Sequence, residues 1–386
     1  MAFLRIMCRY SHNPLPKLTS TNTFLYSTWR WCFYLNLPIG GFTLLAVFLF
    51  FNFESSSGQK AQGIIDQVKQ LDPLGVLLFV PCMVCLILAL QWGGSTYPWS
   101  APTIIGLLVT FAVLFLIFIF VEVMTPKTAM APTRVILNRS IAACMLYMLL
   151  LSGAMMSIIY YLTIWFQTAK GDSPTDAGVK TIPIVLSMVV MIILLAKITE
   201  RIGYYVPAML LSPVLCSVGA GLLSTLQSDS GHSKWIGYQV LYGFGIGCGF
   251  QVSTLAAQTV LPRADVPIGL AMMFFMQQLG GSVFLAVSQN IFATQLIARL
   301  SGVGGLDTEA ILHAGATELH EVVPSDQLNS VVDAYSHSLT RVFLMAALLS
   351  ACMTVGSLTV EWKSIKGETV ATKSKPDDME TEKGEA

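Results

Sequence analysis

The sequence is poor in charge. Lysine, arginine, aspartate and glutamate make up 11% of its 386 residues, against about 25% in an ordinary soluble domain. A soluble fold could not cover its surface with so few charges. The 22 basic and 22 acidic residues balance and form no basic patch, so we expect no nucleic-acid partner. Histidine is also scarce, with five scattered residues. This argues against an enzyme, and we expect no catalytic residue, no metal site and no cofactor.

Charge is missing altogether from long windows, at residues 31–53, 73–121, 141–169, 181–196, 202–228, 235–262, 266–298 and 342–360. About 20 apolar residues span a bilayer as a helix, and the turn at residues 93–98 divides the 73–121 window into two spans. These runs are too long and continuous for barrel strands, the other way to cross a membrane. The sequence therefore predicts an all-α integral membrane protein with about nine helices, at 31–52, 74–91, 103–123, 141–167, 179–196, 204–226, 236–261, 268–292 and 340–360.

The distribution of basic residues predicts the topology. Nine spans place the two termini on opposite sides, and cationic residues favour cytoplasmic loops. With the C-terminus inside, the inner segments hold thirteen lysines and arginines and the outer ones after the first helix hold five. We therefore expect a cytoplasmic C-terminus. The first 30 residues contradict the orientation this gives the N-terminus, because they carry four basic and no acidic residues. The expectation is that an odd number of helices is missing upstream, or that the head replaces them.

Several sequence blocks carry a family resemblance. "TWRWCFYLNLPIGG" begins at Thr28, and it is followed in order by matching blocks at 71–99, 160–185, 201–210, 235–292 and 333–343. The chain resembles fungal fourteen-span drug:proton antiporters of the major facilitator superfamily over about 28–366. The resemblance implies a major facilitator fold containing spans 6–14, with no counterpart of spans one to five or of their acidic and arginine motifs. It also implies small amphipathic organic substrates, protons as the coupling ion, and a multi-pass location in a lipid bilayer, the plasma membrane being favoured over the vacuolar one.

The resemblance also implies a division of the chain. Residues 1–28 form an atypical head, 29–52 the last helix of an N-terminal bundle, and 53–140 two linker helices with their loops. Residues 141–361 form a C-terminal six-helix bundle with an outer loop at 293–339, and 362–386 a disordered cytoplasmic tail. In this superfamily the first, second, fourth and fifth helices of a bundle face the central cavity. Residues on those helices are therefore the candidates for a substrate pathway.

Polar and aromatic residues recur at helical spacing on the helices that the resemblance places around the cavity. Polar groups at membrane depth usually face protein or water. The alternative for the serine, threonine and glutamines is hydrogen bonding between packed helices, and for Tyr161 and Trp165 an interfacial aromatic belt. The candidate substrate-pathway residues are Ser157, Tyr160, Tyr161, Trp165, Gln167, Gln251, Thr254, Gln258, Gln277, Gln278 and Gln289.

Four glycines alternate in the segment "GYQVLYGFGIGCG", at Gly243, Gly245, Gly247 and Gly249. Two pairs are spaced four residues apart, which permits close helix approach. Because they lie inside a predicted span, they cannot form a phosphate-binding loop. We predict that they serve helix packing, with flexing during transport as the alternative.

These observations predict a transporter that exports drugs, toxins or secondary metabolites, driven by protons. The alternative is a truncated, transport-inactive fragment of such an antiporter. No carboxylate lies in the middle of a predicted span, so a proton-coupling acid is not evident in this chain. For that reason we expect the 386 residues alone not to catalyse proton-coupled export. The substrate's identity and the oligomeric state stay open.

Overall fold

The computed structural model describes residues 34, 36–50, 72–94, 96–124, 133–300, 323 and 327–364. The predicted head at 1–28 lies outside the described residues. So do the predicted tail beyond residue 364, parts of the linker loops and most of the predicted outer loop.

The described residues form helices and contain no β-strand, apart from two isolated bridges. In chain order the helices are α1 (Asn36–Phe50), α2 (Pro73–Trp92), α3 (Pro102–Met124), α4 (Thr133–Ile136), α5 (Arg139–Ala169), α6 (Pro174–Lys180), α7 (Ile182–Ile202), α8 (Val206–Leu223), α9 (His232–Phe250), α10 (Val252–Val260), α11 (Val266–Leu300) and α12 (Leu328–Thr359).

Eight spans among the described residues are long and apolar enough to cross a membrane, with α6–α7 and α9–α10 each counted as one. The ninth predicted helix corresponds to α1, whose described part is a shorter apolar helix of 15 residues. The prediction of an all-α integral membrane protein is confirmed. The chain divides into two units, Met1–Gln67, which contains α1, and Val68–Ala386, which contains α2–α12; each is described by itself.

Helices α2 and α3 form an antiparallel hairpin. Asp72 caps the start of α2 by accepting a hydrogen bond from Gly75 N at 3.0 Å, which satisfies one of the free amides of the first turn. The outer turn bends at Gly94, whose φ of 76° lies in the left-handed region that glycine adopts without strain. Inside the hairpin, the rings of Phe79 and Phe118 lie 4.9 Å apart.

The hairpin docks on α11. Asn290 Nδ2 donates a hydrogen bond to the Leu90 carbonyl at 3.2 Å, one of the carbonyls left without a partner at the C-terminal end of α2. Closer to the middle of α2, the rings of Phe79 and Phe275 meet edge to face at 5.1 Å. A side chain of α11 therefore caps the α2–α3 hairpin, and an aromatic contact joins the two further along α2.

The remaining helices form the six-span bundle, with α5 at its centre. Helix α5 packs against α12, α11 and α10, while α9 packs against both α7 and α8, and α8 also contacts α12. In α5, 78% of an apolar 18-residue stretch, long enough to cross a membrane, is buried by the rest of the protein. The helices that contact α5 most extensively are α12 and α11, whereas α7 packs on α9 and not closely on α5.

Two spans at the C-terminal end extend beyond their predicted bounds. We predicted spans at 268–292 and 340–360, whereas the structure has helices over Val266–Leu300 and Leu328–Thr359. The predicted outer loop at 293–339 is therefore helical at both ends. The predicted bounds enclose little more than the length that a hydrocarbon core of about 30 Å requires, but a helix of 35 residues is about 52 Å long and extends well beyond that core. Charged residues are admitted in those outer turns.

The segment after α12 folds back onto one end of the bundle. Tyr205 Oη donates to the Glu361 carbonyl at 2.6 Å, and Glu361 N donates to Ser140 Oγ at 3.2 Å. Tyr204 and Ser364 add an isolated antiparallel bridge. Residues 360–364, the C-terminal clasp, thus tie the α7–α8 turn to the first turn of α5. Tyr205 lies outside the spans, and its burial raises its pKa to about 12.

Candidate functional site

The part of the predicted polar face of α5 that includes Gly153 and Ser157 packs against α11. Ser288 Oγ donates a hydrogen bond to Ser157 Oγ at 2.8 Å, and Ser157 Oγ in turn donates one to the Gly153 carbonyl at 2.8 Å. Both serines are completely buried. A Cβ on Gly153 would overlap the ring of Phe284. Ser157 is therefore placed where it bonds two helices together, the packing alternative left open by the sequence.

The aromatic candidates at the other end of α5 separate into buried and accessible side chains. Tyr161 and Trp165 lie inside the bundle, at 2% and 0% exposure, so they line neither an aromatic belt nor an open surface. The ring of Tyr161 contacts that of Phe292 at 5.7 Å, and Trp165 Nε1 donates to Ser336 Oγ at 3.2 Å. Tyr160 and Gln167 are half-buried. Those two remain available to a ligand.

The predicted continuous helix at 236–261 is interrupted. The structure has two helices, α9 and α10, that meet at Gln251. Two features favour a break here. The preceding glycines each disfavour helix by about 1 kcal/mol relative to alanine, and Thr254 Oγ1 donates to the Gln251 carbonyl at 2.7 Å, a side-chain bond that competes with the helical ladder. Gln251 and Gln258 are exposed, while Thr254 is half-buried.

The glutamines of α11 are also placed at or near the surface. Gln278 and Gln289 are exposed, and Gln277 is half-buried. The Gln277 carbonyl accepts a hydrogen bond from Ser152 Oγ at 2.5 Å, whereas its buried Oε1 has no hydrogen-bond partner among the described residues. Gln277 thus sits at the α5–α11 contact.

Four of the six candidate glutamines are therefore exposed inside apolar spans: Gln251, Gln258, Gln278 and Gln289, here called the exposed glutamines. A glutamine amide facing hydrocarbon would lose its hydrogen bonds to water, which costs several kcal/mol on scales where nothing can replace them. Polar groups at this depth accordingly face protein or water. The exposed glutamines indicate surfaces of α9–α11 that are not covered by lipid alone.

An apolar pocket lies where α5, α7 and α9 come together. It has a volume of about 140 Å³ and is lined by Met155, Ile159, Ile184, Val185, Met188 and Phe250. Phe250 is the last residue of α9, and the exposed Gln251 follows it directly. The pocket itself is apolar, and an exposed polar residue follows one of its lining residues in the chain.

The four alternating glycines hold α9 against its two neighbours. A Cβ on Gly247 would come within 2.6 Å of the Met188 carbonyl of α7, and a Cβ on Gly245 within 2.6 Å of Cys216 N of α8. Gly243 faces α7 in the same way, and Gly249 faces Ser212 of α8. One pair of glycines therefore packs on each neighbour.

Charged groups gather at the two ends of the bundle. At one end Arg134 Nη2 contacts Asp265 Oδ1 at 2.7 Å, and at the other Lys180 Nζ contacts Asp172 Oδ2 at 2.5 Å. In the part of the chain that the structure describes, no three histidine, cysteine, aspartate or glutamate side chains come together in a way that could hold a metal. What the arrangement offers a ligand is apolar contact and amide hydrogen bonding.

Sequence reasoning missed Asn290 and the apolar pocket. Asn290 is a polar residue inside an apolar span and directly follows the predicted Gln289, so its position was a usable signal. The pocket had none, because its residues look like any other apolar helix residues. Only the packing of α5, α7 and α9 brings them together around one space.

Comparisons with known proteins match this architecture. Residues 20–285 match the model of the Major Facilitator Superfamily. The chain is similar to the MFS-type efflux pump MFS1 of Trichophyton rubrum, with 42% identity over 89% of this chain and 64% of that protein. It is also similar to the efflux pump aflT of Aspergillus parasiticus, with 41% identity over 88% of this chain and 66% of the relative. The efflux pump roqT of Penicillium rubens is 41% identical over 88% of this chain and 63% of its own length.

The chain therefore spans a little under two thirds of the length of each of these relatives. The matched region nevertheless covers more than half of this chain, from before α1 into α11. With eight apolar spans described and relatives of the efflux type, the chain belongs to the Major Facilitator Superfamily.

Proposed function

We propose that this protein works as a proton-coupled exporter of small amphipathic organic molecules, such as drugs, toxins or secondary metabolites. Three relatives that share 41–42% identity over most of this chain are called efflux pumps. The observation that carries the proposal is the set of exposed glutamines inside apolar spans, because an exporter needs polar groups at membrane depth that meet substrate rather than lipid. Its setting is the plasma membrane, with the C-terminus in the cytosol.

The candidates that stand nearest to a substrate are those with accessible side chains. On α5 these are Tyr160 and Gln167, and on α9–α11 they are the exposed glutamines. Transporters of this kind bind substrate near the midplane between two bundles. The exposed glutamines supply donors and acceptors, and the apolar pocket supplies area for hydrophobic contact. An amphipathic molecule needs both.

The direct test is transport by the whole chain. The lack of a coupling acid within a span led us to expect no export from the 386 residues alone, whereas the relatives called efflux pumps favour export. The purified protein is reconstituted in proteoliposomes, a pH gradient is imposed, and the movement of a panel of amphipathic dyes is followed. Dye movement that depends on the gradient supports the proposal. Movement no faster than in empty vesicles, with the protein correctly inserted, overturns the exporter proposal for this chain and favours the transport-inactive alternative.

A matched pair of glutamines on one span tests the site. Gln251→Ala should change dye export while leaving membrane abundance nearly intact, since its side chain is exposed at the helix break. Gln239 of α9 is the control, because it is fully buried and its Nε2 donates to the Lys180 carbonyl at 3.0 Å. Gln239→Ala should lower abundance and export together. A Gln251→Ala variant that behaves like Gln239→Ala would assign Gln251 to packing.

The orientation has its own test. A protease added to the outside of sealed cells should spare an epitope placed after Ala386, because the basic loops favour a cytosolic C-terminus. An epitope placed in the outer segment between α11 and α12 serves as the control and should be cut. Loss of the C-terminal epitope under the same conditions would reverse the assigned orientation.

A further inference from the structure

We infer that the apolar pocket between α5, α7 and α9 is a subsite for a single aromatic ring of the substrate, with the amide of Gln251 at its rim. The inference rests on the proposed function for the word substrate, but the binding it describes is measurable without transport. It follows from the volume of the pocket, the side chains that line it, the close packing of α7 on α9 beside it, and the exposed Gln251 that follows Phe250.

The size of the pocket selects a ring. Its volume is about 140 Å³, and a buried protein cavity of about 150 Å³ lined by aliphatic and aromatic side chains binds benzene. The space therefore matches one six-membered ring. A lipid acyl chain would place only a short piece there and leave the rest of its length outside.

The lining provides the contacts that an aromatic ring prefers. Met155 and Met188 contribute thioethers, which adapt in shape and interact favourably with aromatic rings. Phe250 contributes a ring that can meet a second ring edge to face or in an offset stack. Ile159, Ile184 and Val185 complete a wall with almost no polar surface. A charged or strongly polar group would lose its hydration there without gaining a partner.

Helix packing fixes one side of the pocket. The backbone of α7 at Ile184 and Met188 lies directly against Gly243 and Gly247 of α9, so these two lining residues are held at close range to α9. The other lining residues, Met155 and Ile159, belong to α5, which does not pack closely on α7. A ring can therefore be admitted between α5 and α7 while the α7–α9 wall stays in place.

The polar neighbour defines the class of molecule. Gln251 is exposed and follows Phe250 at the junction of α9 and α10. Its amide can donate to and accept from a substituent on a ring that contacts Phe250. The substrate class is therefore a small amphipathic molecule whose apolar end is a monocyclic aromatic group and whose polar substituent lies beside that ring.

Photolabelling of the full chain in lipid nanodiscs tests the inference. The probe is a trifluoromethyl-phenyldiazirine with a short amide tail, and the comparison probe is a phospholipid with a diazirine at the end of its acyl chain. We expect the phenyl probe to label peptides containing Met155, Met188 or Phe250, and an excess of the same molecule without the diazirine to prevent that labelling. The lipid probe should label the exposed side of α3.

Two tryptophan variants on α7 provide a matched comparison. Val185 lines the pocket and is 49% exposed, while Val190 is 41% exposed and does not line it. Val185→Trp should place an indole in or over the pocket and reduce phenyl labelling at least fivefold. Val190→Trp should leave the labelling unchanged. Because both positions are exposed, neither change should disturb folding, which the elution profile of the purified protein checks.

The outcomes separate this inference from the proposed function. Phenyl labelling of the pocket without any dye export would retain the ring subsite and overturn the exporter proposal. Dye export with phenyl labelling spread evenly over the exposed face of α7 would retain the exporter proposal and overturn the ring subsite. Equal labelling of the pocket by the lipid probe, unaffected by the competitor, would identify an acyl-chain groove and also overturn the inference.

Discussion

Helices α3 and α5 are both apolar membrane spans, yet they are buried to very different extents. Within the apolar 18-residue stretch of each span, 78% is buried in α5 and 11% in α3, although α3 is the more apolar of the two. In a soluble protein the order would be reversed. Inside a bilayer, lipid tails are as apolar as leucine, so apolar content does not drive a helix into the core; close packing and interhelical hydrogen bonds do.

The residues of the two helices show what selects the interior. Helix α5 carries Gly153 and Ser157, which allow α11 to approach and then bond to it. Helix α3 carries Gly106 and Thr110, but a Cβ on Gly106 would meet nothing within 4 Å, and Thr110 Oγ1 donates to the carbonyl of Gly106 in its own helix. Small and polar residues mark an interior helix only when a partner uses them.

The strongest test of this contrast is an added methyl group at each type of glycine. Gly280 of α11 lies against α5, where a new Cβ would overlap the Leu149 carbonyl oxygen and come within 2.9 Å of Leu149 Cα. Gly280→Ala should lower the free energy of unfolding by about 1–3 kcal/mol, as overpacking does. Gly106→Ala on α3 should be neutral or stabilise by up to about 1 kcal/mol, through helix propensity alone. Unfolding of the purified protein in detergent measures both, and equal effects would contradict the packing explanation.

A second test acts on the base of α5, where the C-terminal clasp holds it. Tyr205→Phe removes the 2.6 Å hydrogen bond to the Glu361 carbonyl and should lower stability by about 1 kcal/mol. Tyr204→Phe is the control, since Tyr204 is 42% exposed.

The same tyrosine predicts a dependence on pH. Burial raises the pKa of Tyr205 to about 12, above the ordinary value of about 10, so the folded state holds the phenol proton more tightly than the unfolded state. Its contribution is complete below the ordinary pKa and is lost as the pH rises from there towards the folded value. Unfolding measured across that range should show the loss in the native protein and in Tyr204→Phe. A loss of the same size in Tyr205→Phe would assign it to another group.

The smallest expected effect concerns the serine pair at the α5–α11 contact. Ser157→Ala removes the 2.8 Å bond between Ser288 Oγ and Ser157 Oγ, and interhelical hydrogen bonds in membranes average about 0.6 kcal/mol. Thr110→Ala on α3 should change stability by less, because that hydroxyl bonds only within its helix. Replicate unfolding curves resolve the difference. A larger loss of stability in Thr110→Ala than in Ser157→Ala would contradict the view that α5, and not α3, is held by hydrogen bonds to a neighbouring helix.

The sequence was a good guide to which segments span the membrane and a poorer guide to how they meet. Charge-free windows located every described span because charge is excluded from hydrocarbon. The spans predicted within them stopped short of Leu300 and began well after Leu328, because both helices are longer than a hydrocarbon core requires. They also missed the break at Gln251, which depends on local backbone bonding rather than on hydropathy.

The candidate site was predictable in part for a similar reason. Spacing identified glutamines on helices that prove to expose them, such as Gln251 and Gln258. Spacing could not tell which polar residue has a neighbour across the interface, as Ser157 does, or that Trp165 lies wholly inside the bundle. Those facts depend on the relative rotation of two helices, which a single helix's pattern does not contain. Whether the exposed glutamines meet substrate stays a prediction.

The capping of α2 by Asn290 bears on how the protein can be dissected for biochemical work. A cut between α3 and α5 would isolate the six-span bundle, but it would remove the Leu90 carbonyl from Asn290 and the ring of Phe79 from Phe275. The compact unit begins at Val68, ahead of the Asp72 cap. A separately produced C-terminal portion should therefore retain the α2–α3 hairpin. In a chimera with a foreign hairpin, the first helix of that hairpin should end where the amide of Asn290 on α11 can cap it.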